Sequence, residues 1–260
     1  MRALCRTSIL PLVFSAALLS GCDFVDLDLS AHARFEKTVA LEPTGTFHLE
    51  NVNGRVTVEP WNQKSVRIEA EKAATSEAAL EDIKIEVQGE GDRVDVKTRF
   101  PRHGFLSGSG KVDYLIRLPA GARVEVRSVN GGVNVTGVEG PVEASTVNGS
   151  VRINDSAGQV RVSTVNGSIH AGYRKVVPDG NHSYSTTNGS VTLYLPSDAI
   201  GEFDAQTVNG GISTEFPLEV SGRIGRRHLH GRLGEGRARF NIHTVNGSVK
   251  VLKGGGEKVV

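Results

Sequence analysis

Ser145-Thr146-Val147-Asn148-Gly149-Ser150-Val151 and Ser163-Thr164-Val165-Asn166-Gly167-Ser168-Ile169, 18 residues apart, are identical but for the Val/Ile at the end. Asn-Gly pairs recur along the chain as Asn53-Gly54, Asn130-Gly131, Asn148-Gly149, Asn166-Gly167, Asn188-Gly189, Asn209-Gly210 and Asn246-Gly247. Two residues before each Asn stand Asn51, Ser128, Thr146, Thr164, Thr186, Thr207 and Thr244. Three after it stand Val56, Val133, Val151, Ile169, Val191, Ile212 and Val249. Apolar residues also stand four before most of them, as Leu49, Val126, Val162 and Ile242. Alternation of period two on both sides of a break reads as strand, tight turn, strand. Intervening residues such as Arg127, Glu143, Arg152, Arg161 and Lys250 are polar and face solvent.

Asn-Gly suits the break because both residues tolerate positive φ, as a type I′ turn requires. Two all-β architectures meet the pattern: a stack of β-hairpins or a β-sandwich, and a parallel β-solenoid with rungs of about 18–22 residues and Asn-Gly corners. Equivalent Thr, Asn and Ser at regular spacing favour the solenoid, because stacked rungs turn identical side chains into ladders. The long gaps after Asn53 and Asn209 are close to multiples of the repeat and leave room for degenerate rungs, about ten in all and roughly 50 Å of rod at the inter-strand spacing.

The tandem Thr-Val-Asn-Gly-Ser-Val units resemble the bacterial candidate-adhesin domain family, as do Val112–Gly121, like its strand entering the repeats, and Gly225–Val251, like its last rungs. The resemblance covers roughly residues 40–253. It implies a single-stranded right-handed β-helix, usually exported or lipid-anchored, with no assigned enzymatic activity.

The N-terminus carries an address. Arg2 and Arg6 precede an apolar run, Ile9–Leu19, too short to span a bilayer and suited to a signal peptide. Leu18-Leu19-Ser20-Gly21-Cys22 resembles the lipobox, in which the Cys22 thiol takes diacylglycerol and becomes the mature N-terminus. The expected organisation is a signal peptide over 1–21, a lipidated tether over 22–40, a solenoid over 41–253 and a tail over 254–260. Two acyl chains supply the double anchor that lasting membrane attachment requires. Cys5 leaves with the signal, so the mature domain holds no free thiol for a disulfide, a thiolate metal site or a nucleophile.

The 260 residues carry 30 Lys+Arg against 29 Asp+Glu. Removing residues 1–21 takes Arg2 and Arg6 and no acid, which leaves a formal net charge of −1. That balance argues against nucleic acid as a partner, which calls for a basic surplus. Lys72–Asp82, rich in Ala and Glu with Ser76 as a cap, is the one helix candidate, followed by a strand pair around Gly89–Asp92.

Catalysis on a β-helix needs paired carboxylates or a metal with a base. Glu125, Glu139, Glu143, Asp155 and Asp179 do not recur at equivalent repeat positions, and no catalytic residue, metal site or cofactor is assigned. His228 and His230 share a strand face and with His243 could in principle hold a metal, but no carboxylate except Glu235 lies at ligand spacing. Arg223, Arg226, Arg227, Arg232, Arg237 and Arg239 concentrate positive charge near the C-terminus and form a candidate anion-binding face. The expectation is a cell-envelope lipoprotein with a structural or adhesive repeat domain, its partners the membrane and glycan or another envelope protein. A regulatory partner of a signalling protein and a glycan-active enzyme are the alternatives.

Overall fold

Alternation in the sequence is alternation of burial in the structure. Along Val160–Asn166, the side chains of Val160, Val162 and Thr164 are buried while Arg161, Ser163 and Val165 face out. The computed structural model describes residues 29–100, 110–220 and 227–254. In chain order the first elements are β1 (Ala31–Glu50), β2 (Val56–Trp61), β3 (Ser65–Ala74), α1 (Glu77–Asp82), β4 (Lys84–Gln88), β5 (Gly91–Arg99) and β6 (Gly110–Pro119). The repeats follow as β7 (Arg123–Arg127), β8 (Val133–Thr136), β9 (Val142–Asn148), β10 (Val151–Ser156), β11 (Val160–Asn166), β12 (Ile169–Tyr173), β13 (Asn181–Asn188) and β14 (Val191–Leu195). The last described elements are β15 (Gly201–Asn209), β16 (Ile212–Thr214), β17 (Glu219–Val220), β18 (His228–Leu233), β19 (Arg239–Asn246) and β20 (Val249–Lys253).

Each rung places one strand in each of two parallel sheets. One sheet stacks β5, the second half of β1, β7, β9, β11, β13, β19 and β15. The other stacks β6, β2, β8, β10, β12, β14, β20 and β16. The fold is therefore the solenoid and not a stack of hairpins. Among the described residues eight parallel rungs span about 34 Å at the usual strand spacing, fewer than the ten expected.

The difference lies in the two long gaps. Residues between Asn53 and Asn130 hold β3, antiparallel on β6 and on Ala31–Ala40, and β4, antiparallel on β5. Those between Asn209 and Asn246 hold β17 and β18, with β18 antiparallel on β15. Stacking order also departs from chain order at both ends. The β5/β6 rung lies outside the β1/β2 rung that precedes it in sequence. The β19/β20 rung slots between β13/β14 and β15/β16, so Gly225–Val251 does not end the stack.

Two further expectations are corrected. The helix begins at Glu77, capped by Ser76, whose hydroxyl accepts from the Ala79 N–H. Lys72–Ala74 belong to β3, because pairing with both β1 and β6 outweighs the helix propensity of Glu, Lys and Ala. The stretch expected as a tether over 22–40 is strand from Ala31 onward. The β4–β5 pair forms as expected.

The core is a set of in-register apolar rows. Val56, Val133, Val151, Ile169, Val191 and Val249 stack rung on rung at 0% exposure. Each such burial contributes roughly 1.5–3 kcal/mol. Toward the C-terminal rungs the aliphatic rows give way to an aromatic stack: His182 on Phe240 with ring centroids 4.7 Å apart, and Phe240 on Phe203 at 4.6 Å.

Candidate binding surfaces

The Asn-Gly corner is a ladder, not a series of type I′ turns. Among the described residues Asp155 is the one non-glycine with positive φ, so no corner Asn adopts it; Gly54 and Gly131 have φ of 116° and 158°, but Gly149, Gly167, Gly189, Gly210 and Gly247 lie outside the left-handed region. Glycine is required for a different reason. A Cβ on Gly167 would sit 2.0 Å from the Gly149 carbonyl oxygen, and one on Gly247 1.9 Å from that of Gly189. Rungs approach at the corner more closely than any side chain allows.

That approach is held by three hydrogen-bonded rows. Each Asn donates from Nδ2 to Oδ1 of the Asn one rung below: Asn130 to Asn53 at 2.9 Å, then Asn148, Asn166, Asn188, Asn246 and Asn209 in turn at 2.8 Å. Each buried Thr two residues before a corner Asn donates its hydroxyl to the neighbouring glycine carbonyl, as Thr164 to Gly149, Thr186 to Gly167 and Thr244 to Gly189, all at 2.9 Å. The second serine accepts from the backbone N–H of its counterpart, Ser168 to Ser150 and Ser190 to Ser168 at 3.3 Å. Thus Asn53, Asn130, Asn148, Asn166, Asn188, Asn209 and Asn246 are one continuous scaffold element.

The outer face of the sheet containing β9, β11, β13 and β19 carries different chemistry. Ser145, Ser163, Ser185 and His243 form one outward row, and Glu143, Arg161, Ser183 and Asn241 the next. Small side chains leave a shallow depression of about 420 Å³ there. The residue preceding each Asn also faces outward, as Val147 at 40% and Val165 at 42% exposure on β9 and β11, with Thr187 at that position on β13. This face was missed by reading the sequence, although the signal was present: Ser and Val recur at outward positions that the fold does not require to be Ser or Val.

At the β1–β3–β6 end lies a larger depression of about 610 Å³, with the Arg34–Glu69 ion pair in its lining. The Glu69 carboxylate meets Arg34 at 2.8 Å, Arg117 at 2.5 Å and Arg67 at 3.2 Å. Burial pushes its pKa up, but these three guanidinium groups more than reverse that, and the net shift is downward. On the other sheet's end His48 lies between Glu50 and Glu125, at 3.4 Å from each.

Arg223, Arg226 and Cys22 lie outside the described residues. Arg227 and Arg232 are exposed on and beside β18. Arg237 pairs with Asp179 at 2.8 Å, and Arg239 lies 3.7 Å from Glu202. Strands distant in sequence therefore bring counter-charges to this end. His230 also faces Glu202, at 3.4 Å, whereas His243 is two strands away from His228 across β15. Among the described residues no group of three or more His, Cys, Asp or Glu gathers at metal-binding distance.

One titratable cluster is internal. His182 is fully buried, its Nδ1 accepting from the Val160 N–H at 3.2 Å and lying 2.8 Å from the Tyr173 hydroxyl, which in turn bonds Tyr184. The Val160 donor places the imidazole proton on Nε2, which has no partner among the described residues. Burial pulls the His182 pKa down to about 4.

Stacked rungs in two parallel sheets, joined by polar corner ladders, define a two-sheet parallel β-solenoid. The chain belongs to the Toastrack DUF4097 family, which matches residues 42–252. No curated protein is similar enough to count as a match. Among solved structures it is similar to a candidate cell adhesion protein from Clostridium sporogenes, at 12% identity and TM-score 0.46, covering 85% of this chain and 100% of that one. A candidate adhesin from Bacteroides fragilis is 11% identical with TM-score 0.43, covering 84% and 97%. A candidate lipid-binding protein from Parabacteroides distasonis is 10% identical with TM-score 0.32, covering 86% and 97%.

Proposed function

We propose that this chain is an exported, lipid-anchored envelope protein whose Toastrack domain is a non-catalytic binding scaffold, structural or adhesive, for glycan or another envelope component. The observation that carries the reading is the division of labour in the repeat. Its Thr, Asn, Gly and second Ser are taken up by the ladders, and the polar groups left over lie spread along an outer strand face. Binding on such a face is a sum of weak contacts along several rungs. Lipidation at Cys22 would place Ala31 within about 30 Å of the membrane, the reach of the intervening chain. The β1–β3–β6 end is then proximal and the β15–β18 end distal. Cross-linking the lipidated protein in native envelopes, beside labelling with a palmitate analogue, tests this. Label lost in Cys22→Ala and capture of envelope glycan support it; capture of one stoichiometric signalling protein in place of glycan overturns the adhesive role.

A further inference from the structure

Within Ser-Thr-Val-Asn-Gly-Ser the fold employs four positions and leaves two. Thr164 closes on a glycine carbonyl, Asn166 joins the amide ladder, Gly167 permits the close approach and Ser168 bonds along the corner. Ser163 and Val165 do none of this, yet both recur in the neighbouring rung as Ser145 and Val147. No described residue hydrogen-bonds the hydroxyls of Ser145, Ser163, Ser183 and Ser185, which sit together in the depression on the outer face of β9, β11, β13 and β19.

Building on the binding-scaffold reading, we propose that this depression holds a neutral, extended polysaccharide strand running along the solenoid axis. Three properties of the face select that ligand. Its hydroxyls repeat about every 4.8 Å, so a chain with repeating hydrogen-bonding groups meets several of them at once, and a compact solute meets one or two. The charged residues lining it are Glu143 and Arg161, which cancel, so a polyanion or polycation finds no counter-charge. The exposed Val147 and Val165 flank the hydroxyls and offer apolar contact to the C–H faces of sugar rings. A protein partner is less well served, because the lining has no Trp, Tyr, Phe or Met to act as an anchor.

The test is affinity electrophoresis of the full-length, detergent-solubilised protein through gels containing hydroxyethyl cellulose, a neutral glucan derivative, or polygalacturonate, an anionic glycan. Retardation by the neutral polymer is expected, weakened at least about tenfold by Ser163→Lys or Ser185→Lys, which fill the depression, with the melting temperature unchanged. Ser163→Val, which keeps strand propensity and removes the hydroxyl, gives a smaller loss in the same direction, and Arg232→Glu leaves binding intact. Retardation that survives Ser163→Lys overturns the placement and leaves the scaffold reading standing. Retardation by polygalacturonate alone, lost in Arg232→Glu, moves the site to the arginine end. A dimer that Ser163→Lys converts to monomer, with neither polymer bound, assigns the face to a second copy of the chain. No retardation, with a single protein captured from envelopes, overturns both the placement and the adhesive reading.

Discussion

Asn166 donates to Asn148 at 2.8 Å and accepts from Asn188 at 2.8 Å, so one exposed carboxamide is both rung and link in a seven-residue chain of amides. Polarised chains of this kind strengthen each bond in them. Asn166→Asp keeps the acceptor and removes the donor, setting a carboxylate against the Asn148 oxygen. It is expected to cost about 1 kcal/mol at pH 7. The deficit relative to the parent protein should shrink as the pH falls through the carboxyl pKa, where a protonated acid donates again. Thermal melts of both proteins between pH 7 and pH 3 check this; a deficit constant with pH contradicts the ladder.

Close approach, not backbone freedom, is the reason for glycine at the corners from Gly149 onward. Gly167→Ala places a methyl group 2.0 Å from a backbone oxygen, and the rungs must separate to admit it. A loss of about 3 kcal/mol is expected. Gly211, beside the terminal rung, has nothing within 4 Å of its Cβ position, and Gly211→Ala should shift stability by less than about 0.5 kcal/mol. Urea unfolding of both variants separates the two explanations, because a purely conformational origin would penalise neither.

Thr164 and Thr187 differ by parity. Thr164 is buried with its hydroxyl on the Gly149 carbonyl, whereas Thr187 occupies the exposed position held by Val147 and Val165 in the rungs below. Thr164→Val leaves a buried carbonyl short of a donor and should cost roughly 1–3 kcal/mol. Thr187→Val should be neutral or slightly stabilising in a strand. Equal effects in denaturant melts would contradict the inward assignment of Thr164.

Stability should fall with acid well before the carboxylates titrate. Folded His182 has a pKa of about 4 against an ordinary 6.5, so the unfolded chain binds the extra proton first. Its contribution is complete above about pH 6.5 and is lost as the pH drops toward 4, roughly 3 kcal/mol in all. His170, lowered by burial and by Arg152, acts in the same direction. Burial is what holds the imidazole neutral, and protonation would also set a second N–H against the Val160 donor. His182→Phe should be less stable at pH 7 yet lose most of the slope between pH 6.5 and 4.5. An unchanged slope would place His182 in contact with solvent.

The solenoid was legible because Val151, Ile169 and Val191 repeat at one offset from a turn, and a buried row leaves that trace in any single sequence. Rung order was not. Thr186, Thr207 and Thr244 can each close on any stacked glycine carbonyl, so nothing local tells Asn188 that its neighbour is Asn246 and not Asn209. Strand β3 was hidden by Glu71-Lys72-Ala73-Ala74, a helical composition overridden by two flanking strands. The corner was found and misexplained, because Asn-Gly suits a type I′ turn and an amide ladder equally well. The outer face escaped notice because an unbonded serine looks the same in sequence whether it serves a ligand or only water.

Adjacent residues in one rung give the most direct test that scaffold and binding surface are separate sets of positions. Melting temperature and neutral-polysaccharide retention should be measured together for Thr164→Val and Ser163→Lys. Thr164→Val is expected to lower the melting temperature and leave retention unchanged; Ser163→Lys is expected to weaken retention at least about tenfold and leave the melting temperature unchanged. Loss of both properties in both variants would contradict the separation, and with it the reading of this repeat as a ladder that carries a binding face.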